Sequence, residues 1–141
     1  MNLDELDTPS LVIDLDALER NILEMAAIAG GAGVRLRPHT KTHKSPEIAR
    51  MQVEAGAAGI TVAKLGEAEV MADAGLEDLL IAFPLVGERK LTRLRGLLER
   101  ADVRVSLDAV EVAEGVGRVG KDLGREAYLA NRKSKSVLIA L

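Results

Sequence analysis

Cysteine and tryptophan are missing from this 141-residue chain, and Phe83 and Tyr128 stand alone as its phenyl-bearing residues. Without cysteine there are no disulfides, no thiol catalysis and no iron–sulfur ligation, a composition that suits a reducing cytosol. With so few aromatics the core has to be aliphatic, and the 48 % hydrophobic content is enough to bury one rather than leave the chain disordered. An excess of one charge is lacking too: 19 Lys and Arg stand against 22 Asp and Glu, interspersed, for a net charge of −3. No basic stripe is interleaved with stacking aromatics, which excludes a nucleic-acid-binding surface of the usual kind. No apolar run approaches the ~20 residues of a membrane span. The segment Met1 to Asp7 is acidic and has no apolar stretch of the secretory type. The expectation is a cytoplasmic protein with neither nucleic acid nor membrane as a partner, at a length that allows one domain or part of one.

What is present alternates strand and helix. Ser10 to Asp14 is a short β-branched run after Thr8-Pro9 and reads as a strand. Asp14 can cap a following helix that places Leu15, Leu18, Ile22 and Met25 on one face. Gly30, Gly31 and Gly33 end it. Val34 to Lys41 alternates as a strand does, with Arg35, Arg37, His39 and Lys41 on the polar face. Ser45-Pro46 is a helix start, a capping residue followed by proline at the first helical position. Strands at 59–63, 79–83 and 103–107 alternate with helices at 65–74 and 89–100. Asp108 can cap a helix reaching about Leu123, and Val137 to Leu141 is a last apolar run. Short strands separated by helices imply parallel β/α units, either a doubly wound sheet or a (β/α) barrel. Periodicity does not choose between them. A complete barrel takes eight such units and ~250 residues.

The strongest local feature is Arg37-Pro-His39-Thr-Lys41-Thr-His43-Lys44. Pro38 disfavours helix before His39, and on an extended chain rising ~3.3 Å per residue the two histidines lie about 13 Å apart. That is too far for one ion at ~2 Å bond lengths, so no metal site is expected within the motif. Extended geometry aligns Arg37, His39 and Lys41 on one face, with Lys41 at the carboxyl end, where ligands of parallel α/β proteins collect. Neighbouring cations (Arg37, Lys44, Lys64) would disfavour its ammonium and release an amine able to attack an aldehyde. A solvated basic loop is the plainer alternative, and the residues alone do not separate the two. Thr61 to Glu69 sits at the same end of the next unit. Its glutamates read first as acids placed near a helix N-terminus, while Lys64 is close enough to share the mouth with Lys41. Gly115-Val-Gly117-Arg-Val-Gly120 has the letters of a dinucleotide fingerprint but does not follow a strand, so it reads as a glycine-weakened helix. Gly30 to Gly33 lacks the lysine of a phosphate loop, and no Gly-x-Ser-x-Gly elbow supports a serine hydrolase.

Three strings together, Asp7-Thr-Pro-Ser-Leu-Val-Ile-Asp14, Arg37-Pro-His-Thr-Lys41-Thr-His-Lys44-Ser-Pro-Glu-Ile-Ala49 and Thr61-Val-Ala-Lys64-Leu-Gly-Glu-Ala-Glu69, resemble the N-terminal part of D-threonine aldolases. Eukaryotic-type D-serine dehydratases share much of the pattern, and both are grouped with alanine racemase among fold-type III pyridoxal-phosphate enzymes. The resemblance covers about Asp7 to Leu107. It implies a partial (β/α)8 TIM barrel truncated after about five strands, residues 1–141 being the N-terminal portion of a pyridoxal-phosphate-binding barrel whose C-terminal β-domain is absent.

The resemblance makes Lys41 the Schiff-base lysine, with Lys44 as the alternative; His39, on the same strand face, and Lys64, at the same mouth, are expected to bind the cofactor beside it. It implies pyridoxal 5'-phosphate as cofactor, a small D-amino acid with a β-hydroxyl as substrate, and a homodimer. It also implies a divalent metal (Mn, Mg or Zn) whose ligands lie in the missing domain. The string around Ala63-Lys64 stands closer to the aldolases, so retro-aldol cleavage is expected. β-Elimination of the D-serine dehydratase type, an amino-acid racemase, and a non-catalytic truncated protein that binds the cofactor or pairs with a longer subunit are the alternatives. The piece alone is expected to be inactive. From Arg125 to Ser136 the text departs from the family and fits a variant insertion, the boundary of a shorter piece or a shifted reading frame equally well.

Overall fold

A computed structural model describes residues 2–124 and the strand at 136–139. A short 3-10 turn at Leu3–Glu5 leads to helix α1 (Leu15–Gly31), strand β1 (Arg35–Pro38), α2 (Pro46–Glu54) and β2 (Ile60–Val62). Then follow α3 (Leu65–Asp73), β3 (Asp78–Ile81), α4 (Glu88–Leu98), β4 (Asp102–Val105), α5 (Val110–Asp122) and β5 (Ser136–Ile139). The local signals account for the starts. The Asp14 carboxylate accepts from the Ala17 N–H at 2.9 Å, and the Ser45 hydroxyl accepts from the Ile48 N–H at 3.2 Å ahead of Pro46.

All strand pairs are parallel. β2, β3 and β4 form one sheet in sequence order, with Ile60 opposite Leu79 and Leu79 opposite Val103. β1 pairs with β5, Arg35 opposite Ser136. An isolated bridge between His39 and Thr61 joins the two sheets, so the spatial order is β5-β1-β2-β3-β4. The last strand therefore sits on the free edge of the first, the closing direction of a barrel.

The core lies between the strands and the helices. Ile60, Val62, Leu79 and Ile81 point to that side and are fully enclosed with Leu94, Leu97 and Met71. It is aliphatic throughout, as the missing aromatics require. Residues one step out of phase face the interior of the sheet. In the lower row Arg37 reaches across Gly59 to Asp78, with its guanidinium nitrogens 2.8 and 3.0 Å from the two carboxylate oxygens. Arg104 also donates to Asp78, and to Asp102 at 3.0 Å. Gly59, at φ +148°, is the one residue type that leaves room for this crossing, because a Cβ would meet the Asp78 carbonyl oxygen at 2.5 Å.

Two expectations are overturned here. Ser10 to Asp14 is not a strand: no strand is assigned there, and Leu11 is 94 % exposed. A β-branched run becomes a strand only when a neighbour accepts its ladder, and among the described residues none does. Asp108 does not cap α5; Ala109 occupies that position with no side-chain capping bond. The glycine-rich Gly115 to Gly120 stretch is helix, as read, with Gly115 packed under Leu91. The expectations for Arg125 to Lys135, and for Ala140 and Leu141, lie outside the described residues.

Candidate functional site

β1 delivers the motif to the carboxyl end of the sheet. The Thr40 N–H donates to the Thr61 carbonyl at 2.8 Å, which ties the chain to β2 at the point where β1 ends. The Lys44 N–H then donates back to the Thr40 carbonyl at 2.8 Å, so residues 40–44 close a single turn. The segment is extended only as far as His39, a correction to the fully extended reading, and Lys41 stands on the turn rather than on the strand. Its side chain is exposed.

His39 is buried at 7 % exposure, and its Nδ1 accepts the Lys41 N–H at 3.1 Å. In the neutral ring the proton therefore sits on Nε2. Burial pushes this imidazole below its ordinary value, and the charges of Lys41 and Lys44 push the same way against the opposing Glu67. His43 points elsewhere, into a cavity of about 440 Å³ lined by Leu18, Ile22, Met25 and Ile48 between α1 and α2. Burial lowers its pKa as well. The two histidines thus serve different faces of the turn. Among the described residues no cluster of three histidine, aspartate or glutamate side chains is placed to hold a metal ion.

The crowd of cations expected around Lys41 is only partly assembled. Arg37 shares its alternating face but is turned down into the interior and neutralised by Asp78. Lys44 is bound by Glu67, Nζ to Oε1 2.5 Å. Lys64 precedes α3 and is exposed, and it lines two flanking cavities. One, of about 560 Å³, it lines with Phe83, Leu85, Lys90 and Arg93; the other, of about 420 Å³, it shares with Lys44 and Glu67. The structure therefore brings together His39, Lys41, Lys44 and Glu67, and sets Lys64 at their flank.

Glu67 is the residue that local reasoning passed over. Its side chain is 11 % exposed, with Oε2 accepting the Ala63 N–H at 2.8 Å while Oε1 holds Lys44. Burial raises its pKa, but the hydrogen bonds from Lys44 and Ala63 and the charges of Lys44 and Lys64 outweigh that and hold the carboxyl below the usual range. An acid in the first turn of a helix is too common a signal to have singled it out. The Arg37–Asp78 link had one visible sign, a glycine just ahead of a β-branched strand.

Residues 13–129 match the model of the alanine racemase N-terminal domain. The chain belongs to that family. Among curated relatives, it is 42 % identical over 123 residues to a D-threo-3-hydroxyaspartate dehydratase of Delftia sp. (strain HT23), covering 87 % of this chain and 32 % of that one. It is 45 % identical over 103 residues to a D-threonine aldolase of Arthrobacter sp, covering 73 % and 27 % respectively. The solved D-threonine aldolase of Filomicrobium marinum superposes with a TM-score of 0.84 at 42 % identity, covering 89 % of this chain and 34 % of that one. This alanine racemase N-terminal domain thus spans about a third of the length of the relatives it matches. The partial barrel expected from the sequence is the fold observed. No helix among the described residues is long and apolar enough to cross a membrane.

Proposed function

We propose that this chain is the front part of a cytosolic pyridoxal-phosphate lyase acting on D-amino acids with a β-hydroxyl, and that Lys41 is the amine that joins the cofactor. The supporting observation is the position of Lys41, on a pinned turn at the carboxyl end of β1, beside a buried imidazole. Small residues, Ala63 and Ala82, continue the interior faces of β2 and β3 at the same end, which suits a planar ring above them. The donor set fits an aldehyde cofactor: a primary amine, a neutral histidine and no competing thiol.

The cofactor supplies an electron sink for bond breaking at Cα. The chain's own part is to present the Lys41 amine, to hold His39 uncharged with its proton on Nε2, and to fix the turn through Thr40 and Lys44. The drying of Lys41 falls to what covers the mouth in the whole protein, a dimer with a second, metal-bearing domain on this reading. Retro-aldol cleavage breaks Cα–Cβ, in line with the D-threonine aldolase relatives. β-Elimination of the hydroxyl is the second reading, favoured by the 42 % identical hydroxyaspartate dehydratase. By itself the chain is expected to turn over neither D-threonine nor D-serine.

The test is chemical. Incubation with pyridoxal phosphate, reduction with borohydride and peptide mapping are expected to place the adduct on Lys41. Lys41→Ala abolishes it and Lys44→Ala does not. An adduct found only on Lys44 or Lys64 overturns the assignment.

A further inference from the structure

Two amines stand three residues apart on one turn, and only one is held. Glu67 is fixed from behind, Oε2 accepting the Ala63 N–H at 2.8 Å, and nearly enclosed, so Oε1 has a fixed direction. That oxygen meets Lys44 Nζ at 2.5 Å. The backbone is arranged for the meeting: Lys44 takes φ 54°, a left-handed conformation that penalises any residue with a Cβ. The ion pair spans the two loops and ties the Lys44 end of the turn that bears Lys41 to the start of α3. Lys41 makes its backbone bond to His39 and leaves its exposed side chain outside this clamp.

We propose that Glu67 selects between the two lysines: by tying down Lys44 it leaves Lys41 as the amine that meets an aldehyde at this mouth. Glu67 is a positioning residue in this scheme and touches no substrate. The inference rests on the reading of Lys41 as the cofactor-joining residue. The chemistry it governs is condensation: the unprotonated amine adds to the carbonyl carbon, water leaves, and borohydride then delivers hydride to the C=N carbon while solvent protonates nitrogen. The adduct is frozen on whichever lysine reacted.

Glu67→Gln separates the two jobs of the carboxylate. Its amide oxygen can still accept from Ala63, so the start of α3 is kept, while its neutral amide no longer holds an ammonium. After incubation with pyridoxal phosphate and borohydride, the Lys44-to-Lys41 label ratio is expected to rise about fivefold over the parent chain, the weight of a half-exposed ion pair. Far-UV circular dichroism checks that the fold is retained. Should the variant not fold, the parent chain labelled at high salt, which screens the exposed side of the pair, is expected to shift label toward Lys44 in the same direction. An unchanged ratio in a folded Glu67→Gln chain overturns the proposal, as does an equal rise at both lysines or, where the variant does not fold, an unchanged ratio at high salt. A parent chain with no label on Lys41 overturns the reading beneath it instead, and that result is visible before any variant is made.

Discussion

Gly59→Ala tests the interior crossing directly. A Cβ at this position would lie 2.5 Å from the Asp78 carbonyl oxygen and 2.7 Å from Asp78 Cγ, and would collide with the Arg37 guanidinium that passes over it. The backbone is itself at φ +148°, a region open to glycine. Strain of that kind costs ~1–3 kcal/mol. Displacing the Arg37–Asp78 contact removes charge-assisted hydrogen bonds worth ~1.5–3 kcal/mol. Asp78 is 36 % exposed, so the low end applies and the total is about 3 kcal/mol. Against a typical domain stability of ~5–15 kcal/mol that is a large loss. With a urea dependence of ~2 kcal/mol per molar, the unfolding midpoint should fall by about 1.5 M. Gly75→Ala is the control: its φ is +83° with nothing within 4 Å of the added carbon, so only backbone strain remains. A Gly59→Ala chain whose midpoint lies no lower than that of Gly75→Ala would refute the steric argument.

Acid should destabilise the fold in two stages. His39 and His43 are pushed below the ordinary 6.5, so the unfolded chain binds more protons and stability is lost as pH falls below that value. Glu67 and Glu69 are held below 4.5, so their contribution is present above that value and disappears at lower pH still. Thermal melts from pH 7.5 downward check the sign, and a melting temperature that rises on acidification to pH 5.5 contradicts it. Leu94→Ala, at a site with 0 % exposure, should cost ~2–5 kcal/mol by denaturant titration.

The order of elements was legible because each start carries its own chemistry. Asp14 before an amphipathic stripe and Ser45 before Pro46 are instructions read within a few residues. The period-two face of Arg37, His39 and Lys41 was also visible. What the three residues do was not, because their partners lie far along the chain. Arg37 finds Asp78 forty-one positions away, which turns an expected member of a cationic mouth into a strut. Lys44 finds Glu67 twenty-three positions away. Ser10 to Asp14 failed for the complementary reason: its composition favours a strand, but pairing is a property of two segments, and the described residues supply only one. The turn at 40–44 was hidden by Pro38, which biases the residues before His39 and says nothing of those after it.

The interior network also shapes how charge is distributed from top to bottom. Two guanidiniums, Arg37 and Arg104, are matched there by two carboxylates, Asp78 and Asp102. Such a floor is electrically quiet, and its field cancels within a few ångströms. Attraction for an incoming anion then originates at the rim, where Lys41 and Lys64 are exposed. A phosphoester drifting toward this end would be drawn to the lip of the sheet and stop there, rather than sink between the strands.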